Sequence, residues 1–524
     1  MQGTDSMSRR IVAVIIIILA MVIGSSLYIT NWSSRLWRDL HSAKELRIAI
    51  STDITTLDIN YATSVTDFEV LGKVYESLFR IDYDPVAKKL TYSKWLVEDY
   101  KPINDTNWLF ILRSNIRFHN GEELTAWDVK ASIERSAAVS PIGKMLLRDA
   151  HGQPIIESII VYNRTAFIVR LKKPFVPLLE HLAHLAVAIM PRDVAEKYRD
   201  GRIDSVADVV GTGPYRLVEY VRGQHVKLQR FNEYWRREPR IESVLYMIIT
   251  DPSTRAAAVE TGQVDIAVGI APEMAIRLKE RGLQIHNETG VRFVIAAINV
   301  QKISDVRIRQ AMNYAVDRRA VVYRMMGGFA VVAQSIVSPI FPGHAQLESY
   351  SYDPERAREL IEDAGGLNRT LTLVVSTRSP KDVELAQVLQ SYLSAVGIDV
   401  EIQTMEHTAF LKKVFTEHDF DLAIYGPSPS SLYYGLTYWR SGAALNAPLY
   451  SNPEVDRLLD EAAREGSRER QYELYRRVQE IVWHECPAIW LYYENIIVAT
   501  RPGIEGLKIL PFQMLILDGV SVRG

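Results

Sequence analysis

From Asp251 onward the chain alternates short apolar runs with amphipathic stretches, and this alternation restricts its fold more than any other feature. The runs at 264–268, 293–298, 371–375, 400–404 and 422–425 read as strands. The stretches at 253–261, 272–281, 305–326, 356–364, 381–396 and 409–415 read as helices. Strand and helix in turn at this spacing predict a three-layer α/β unit with helices on both faces of a sheet. Asp353-Pro354-Glu355 is a strong helix start, with Asp as cap, Pro at the first helical position and acid in the first turn, and Gly365-Gly366 stops that helix. Two further helices, 453–465 and 468–485, and a last strand, 489–498, complete this part.

The first half has a different texture. A short apolar strand is expected at 46–51, and 67–80 places Phe68, Leu71, Val74, Tyr75, Leu78 and Phe79 on one helical stripe. Strands around Asn120-Gly121 follow, then a helix over 125–136 with Thr125 as cap and Asp128 three residues on. Hairpins are predicted for 159–171 around Asn163-Arg164 and for 215–231 around Arg222-Gly223. The 524 residues suffice for about three ordinary domains. Two textures without a flexible linker imply lobes joined by crossing strands.

Lys plus Arg number 61 and Asp plus Glu 63, so the chain carries no basic excess for phosphate neutralisation, and no nucleic-acid partner is expected. The single cysteine, Cys486, excludes an internal disulfide framework. Arg9 and Arg10 precede an unbroken apolar run of 13 residues, from Ile11 to Ile23, followed by Gly24, Ser25 and Ser26. This is the pattern of an export signal. Extended to Thr30 it reaches 20 residues, enough to span a bilayer if it is never cut. Residues 1–43 are therefore expected to be a signal peptide or a membrane anchor, with the soluble body beyond the membrane.

Catalytic patterns are scarce. Gly211-Thr212-Gly213 is followed by Arg216 and a strand, which is a tight turn and not a dinucleotide loop. His181 and His184 lie three apart, but no third ligand accompanies them, and no metal site or cofactor is expected. The residues that do stand out follow Tyr425. Tyr425, Tyr433, Tyr434, Tyr438 and Trp439 are interleaved with Gly, Pro and Ser after a buried-strand candidate, an arrangement suited to a ligand cleft.

Seven dispersed segments carry a resemblance. They are Val74-Tyr75-Glu76-Ser77-Leu78, the stretch 110–129, Gly211-Thr212-Gly213-Pro214-Tyr215-Arg216, Phe231-Asn232-Glu233-Tyr234-Trp235, Gly262-Gln263-Val264-Asp265, the stretch 305–317, and Tyr352-Asp353-Pro354-Glu355-Arg356-Ala357. In this order the chain resembles the family-5 extracellular solute-binding proteins, the peptide, oligosaccharide and nickel receptors of ABC importers. The resemblance implies an α/β, two-lobed periplasmic-binding-protein-like clamp with an extra β-rich subdomain in the N-terminal lobe. It implies an N-terminal lobe over 44–255, to which 488–524 return, and a second α/β lobe over 256–487.

A monomeric, non-enzymatic receptor that captures a peptide or similar small polar solute and delivers it to an ABC permease is the function implied. An anchored sensor with the same clamp, or a hydrolase, are the alternatives. The expected ligand-binding residues are Tyr425, Gly426, Ser428, Ser430, Tyr433, Tyr434, Tyr438 and Trp439. Arg378 lies where such receptors place a carboxylate-binding arginine. Pro427 stands where the family's peptide receptors have Trp, and Ser428-Pro429-Ser430 offers no acid, so a grip on the ligand's α-amine is not expected from this loop.

Overall fold

A computed structural model describes residues 45–84, 86–149 and 151–523. The expected signal or anchor lies outside them. Among the described residues, no helix is long and apolar enough to cross a membrane.

One mixed sheet of eleven strands organises the molecule. Its edge on one side is Val400–Met405, followed inward by Leu371–Ser376 and Leu422–Tyr425, and on the other side are Ile266–Val268, Glu45–Ile50, Ser243–Ile248, His225–Arg230 and Tyr215–Val221. Two long antiparallel strands join the halves: Gln284–Ile298, of 15 residues, and Ala488–Thr500, of 13. Their first stretch pairs Gln284 with Thr500 through Thr289 with Asn495, next to Ile266–Val268; their second pairs Phe293 with Tyr493 through Ala297 with Ala488, next to Leu422–Tyr425. Between these the register shifts, and Gly290, Val291 and Arg292 bulge out of the ladder. Residues 293–298 are apolar on both faces because helices cover both sides there, whereas 284–289 is mostly polar and none of it is fully buried.

The alternation begins before the two long strands, near the expected change of lobe at 255/256. Pro252–Glu260 and Pro272–Glu280 do alternate with a strand, but that strand, Ile266–Val268, runs parallel to Glu45–Ile50. Alternation alone does not say which sheet edge a strand joins. The chain passes to the other half only along Gln284–Ile298, and it returns along Ala488–Thr500.

Beside the large sheet stands a four-stranded antiparallel sheet, Val97–Asn104, Asn107–Leu112, Ala166–Leu171 and Ile156–Val161 in spatial order, with the helix Ala126–Val139 close to it. Its core, including Phe110 stacked on Phe167 at 5.2 Å, is continuous with that around Trp490 and Trp439. The predicted 67–80 helix is short: it runs only over Val65–Leu71, then the chain turns, and Phe79–Asp84 is a strand. The apolar stripe persists because Val74, Tyr75 and Leu78 are buried by the turn itself.

That turn explains Gly211 and Gly213. The Gly213 N–H donates to the Val74 carbonyl at 2.9 Å, and the Tyr215 N–H to the Lys73 carbonyl at 3.0 Å. A Cβ on Gly211 would lie 2.1 Å from the Val74 oxygen, so two backbones touch with no room for a side chain. Gly211→Ala is expected to cost about 1–3 kcal/mol in urea denaturation through this overpacking; an unchanged midpoint would refute the assignment.

Candidate functional site

A cavity of about 340 Å³ lies where the crossing strands bulge. Gly290, Val291 and Arg292 face it from one strand, and Glu494, Asn495 and Ile496 from the other. Ser428 and Ser430 line it from the loop after Leu422–Tyr425, and His184 and Leu185 from the segment leading out of the small sheet. Residues 510–518 close it, pinned by three bonds: the Val291 N–H donates to the Pro511 carbonyl at 3.1 Å, the Leu515 N–H to Glu69 Oε2 at 2.7 Å, and Arg80 Nη1 to Asp518 Oδ2 at 3.0 Å. Much of the lining is apolar and aromatic, including Phe68, Phe79, Trp95 and Phe512.

Glu76, the acid of the Val74-to-Leu78 motif, is 6% exposed at this wall. Its Oε1 accepts from Trp95 Nε1 at 2.7 Å and the Tyr234 hydroxyl at 2.8 Å, and its Oε2 from Thr212 Oγ1 at 2.7 Å and Trp235 Nε1 at 2.9 Å. Burial pushes its carboxyl above the ordinary range, against the pull of these four donors. Glu69 sits deeper, bonded to Lys73 at 3.0 Å and to the Tyr246 hydroxyl at 2.7 Å, and burial raises it also.

At the bulge, Arg292 bonds Glu494 through Nη1 and Asp382 through Nη2 at 2.8 Å. Burial opposes the Arg292 charge, but Glu494 and Asp382 outweigh it and hold the guanidinium above its usual range. Burial raises Asp382, against the pull of Arg292. Gly426 belongs to this arrangement, since a Cβ there would lie 2.6 Å from Arg292 Nε. Pro427 ends the strand yet prolongs its pairing, accepting from the Phe293 N–H at 3.0 Å. His184 Nδ1 accepts from the Ala186 N–H at 3.0 Å, and burial keeps the ring neutral, pushed down to about 4.

Of the expected ligand residues, Ser428 and Ser430 line the cavity and Gly426 abuts Arg292. The aromatic residues lie elsewhere. Tyr425 packs edge-on against Phe415, and Tyr433 packs against Phe175, His181 and Tyr475. Tyr434 meets Tyr438, and its hydroxyl points at Met145 Sδ. Trp439 is 3% exposed and stacks edge-on against Trp490. Their segment is not an open loop: it holds a helix, Leu432–Thr437, capped by Ser431. Tyr433 and Trp439 are buried, whereas Tyr425, Tyr434 and Tyr438 are half-buried. Arg378 is exposed and outside the cavity wall. Arg292, Glu494 and Asp382 escaped the sequence reading, being single charges 90 or more positions apart.

Comparison with known proteins agrees with this architecture. Residues 91–445 match the sequence model described as bacterial extracellular solute-binding proteins, family 5 middle. The glutathione-binding protein GsiB of Salmonella paratyphi A is 27% identical over 506 residues, covering 92% of this chain and 95% of its own. Among solved structures, the periplasmic binding protein DppA of Helicobacter pylori, in complex with the peptide STSA, is 22% identical with a TM-score of 0.77 over 92% of this chain and 98% of that one. NikA of Brucella suis is 21% identical with a TM-score of 0.82 over 91% and 100%. These likenesses show the two-lobed fold.

Proposed function

Because the chain belongs to the family 5 bacterial extracellular solute-binding proteins, we propose that its cavity receives a peptide or similar small polar solute for an ABC-importer permease. It acts as a monomeric receptor and does not turn its ligand over. The observation that carries this reading is the enclosure, about 340 Å³ built from both crossing strands, the 428–430 loop and residues 510–518. That volume falls within the range of small-molecule sites, and its aromatic lining with a few convergent polar groups is their usual composition. The hydroxyls of Ser428 and Ser430 are the groups we assign to hydrogen-bonding the solute. We place the lobe boundary at the Gly290-to-Arg292 bulge, where rotation about the broken ladder would open or shut the wall. Residues 1–43 serve as export signal or anchor, and N-terminal sequencing of the exported protein distinguishes the two.

The test is a melting screen with di- to pentapeptides, glutathione, oligosaccharides and Ni(II) chelates. A solute present at a hundred times its Kd is expected to add about 2.7 kcal/mol by mass action. No shift with any class at millimolar concentration would overturn the reading.

A further inference from the structure

The charges on the cavity wall balance in number but not in place. Its lining cations are Lys73, Arg80 and Arg292. Lys73 pairs with Glu69 at 3.0 Å, Arg80 with Asp82 at 3.1 Å and Asp518 at 3.0 Å, and Arg292 with Glu494 and Asp382. Glu76 adds a carboxylate whose four donors are all neutral. The wall itself thus carries three cations and three carboxylates, Glu76, Glu494 and Asp518, with Glu69, Asp82 and Asp382 behind it and Arg236 beside it on Trp95, and the one lining histidine, His184, is neutral.

The local excess of acid lies at Arg292, one cation between two carboxylates. Asp82 and Asp518 are 39% and 43% exposed, so water screens the surplus around Arg80. Asp382 is 9% exposed at its side chain, and its Oδ1 is buried without a partner. Glu494, 32% exposed and lining the cavity, spends Oε2 on Arg292, while Oε1 has no hydrogen-bond partner among the described residues. Aromatic faces also line this space, and they attract positive charge. Trp95 already carries Arg80 at 4.3 Å and Arg236 at 4.1 Å.

We propose that the cavity selects cationic solutes and that Glu494 meets their positive charge, supplying from the crossing strand the acid that the loop after Gly426 lacks. This rests on the cavity being the solute site. A solute cation at Oε1 would complete the neutralisation that one guanidinium leaves unfinished between two carboxylates.

The test is calorimetric titration of the full soluble body with Ala-Lys-Ala, Ala-Gln-Ala and Ala-Glu-Ala. The lysine peptide is expected to bind about tenfold or more tighter than the glutamate peptide, with glutamine between. Glu494→Gln should bring the lysine-to-glutamate ratio close to one, and Glu494→Asp, which keeps the charge, should preserve the order. Equal binding of all three peptides, or a lysine preference that survives Glu494→Gln, overturns the proposal while leaving the receptor reading intact. Binding of none at millimolar concentration overturns the proposal, and the receptor reading falls with it only if the melting screen also shows no shift with any class. Should Glu494→Gln fail to fold, the wild-type order and the aspartate variant decide.

Discussion

Glu76→Ala is expected to lower stability by about 3–5 kcal/mol, measured by urea denaturation, without any ligand present. The substitution removes the acceptor for two indole N–H groups and two hydroxyls at once. A buried donor left unpaired costs about 1–3 kcal/mol. Water entering from the cavity would recover part of this, which is why the expected loss is smaller than four separate penalties. Glu76→Gln should lose roughly half as much, since its carbonyl still accepts while its amide faces donors. Equal midpoints for wild type and Glu76→Ala would mean that the four donors find other partners, and the cavity wall would not depend on this acid.

Arg292→Met is expected to cost about 3–5 kcal/mol at pH 7, because it strands Asp382 and Glu494 together with no cation between them. The pH dependence has a definite sign. Burial already raises Asp382, and losing Arg292 raises it further, so the folded variant binds the proton more tightly than the unfolded chain. Stability held by such a group is complete below its ordinary value near 3.8 and is lost as pH rises through the raised one. The deficit of the variant should therefore shrink as pH falls from 7 toward 4. A deficit that stays constant over this range would show that the guanidinium acts through packing against Gly426 alone.

The elements that sequence could locate are those whose pattern is local. The hairpin Ile156–Val161 with Ala166–Leu171 and the strand Leu422–Tyr425 fall where turn residues and apolar runs put them. The helix Ala126–Val139 likewise starts after Thr125, whose backbone N–H and hydroxyl both bond Asp128. Long-range choices were not legible in the same way. Nothing local to 284–289 marks it as the start of a strand that continues to 298, because its residues, polar except for Ile285, read as surface. The predicted helix 305–326 breaks after Tyr314 and restarts at Asp317, which caps Ala320, and it ends in a π-turn, Val321–Met325. The site was legible only in part. Ser428 and Ser430 stood out through the loop that carries them, whereas Arg292, Glu494 and Asp382 become a group only once two distant strands and a helix are brought together.

The segment 510–518 closes a chamber that residues 63–80 begin, and Asp518 grips Arg80 across 438 positions of chain. A nascent polypeptide still lacking that stretch owns every strand of the great sheet and yet has no compartment. Closure of the chamber is thus supplied by a stretch outside the great sheet, and cutting the chain near residue 507 and removing residues 508–523 would open it while sparing every strand of that sheet.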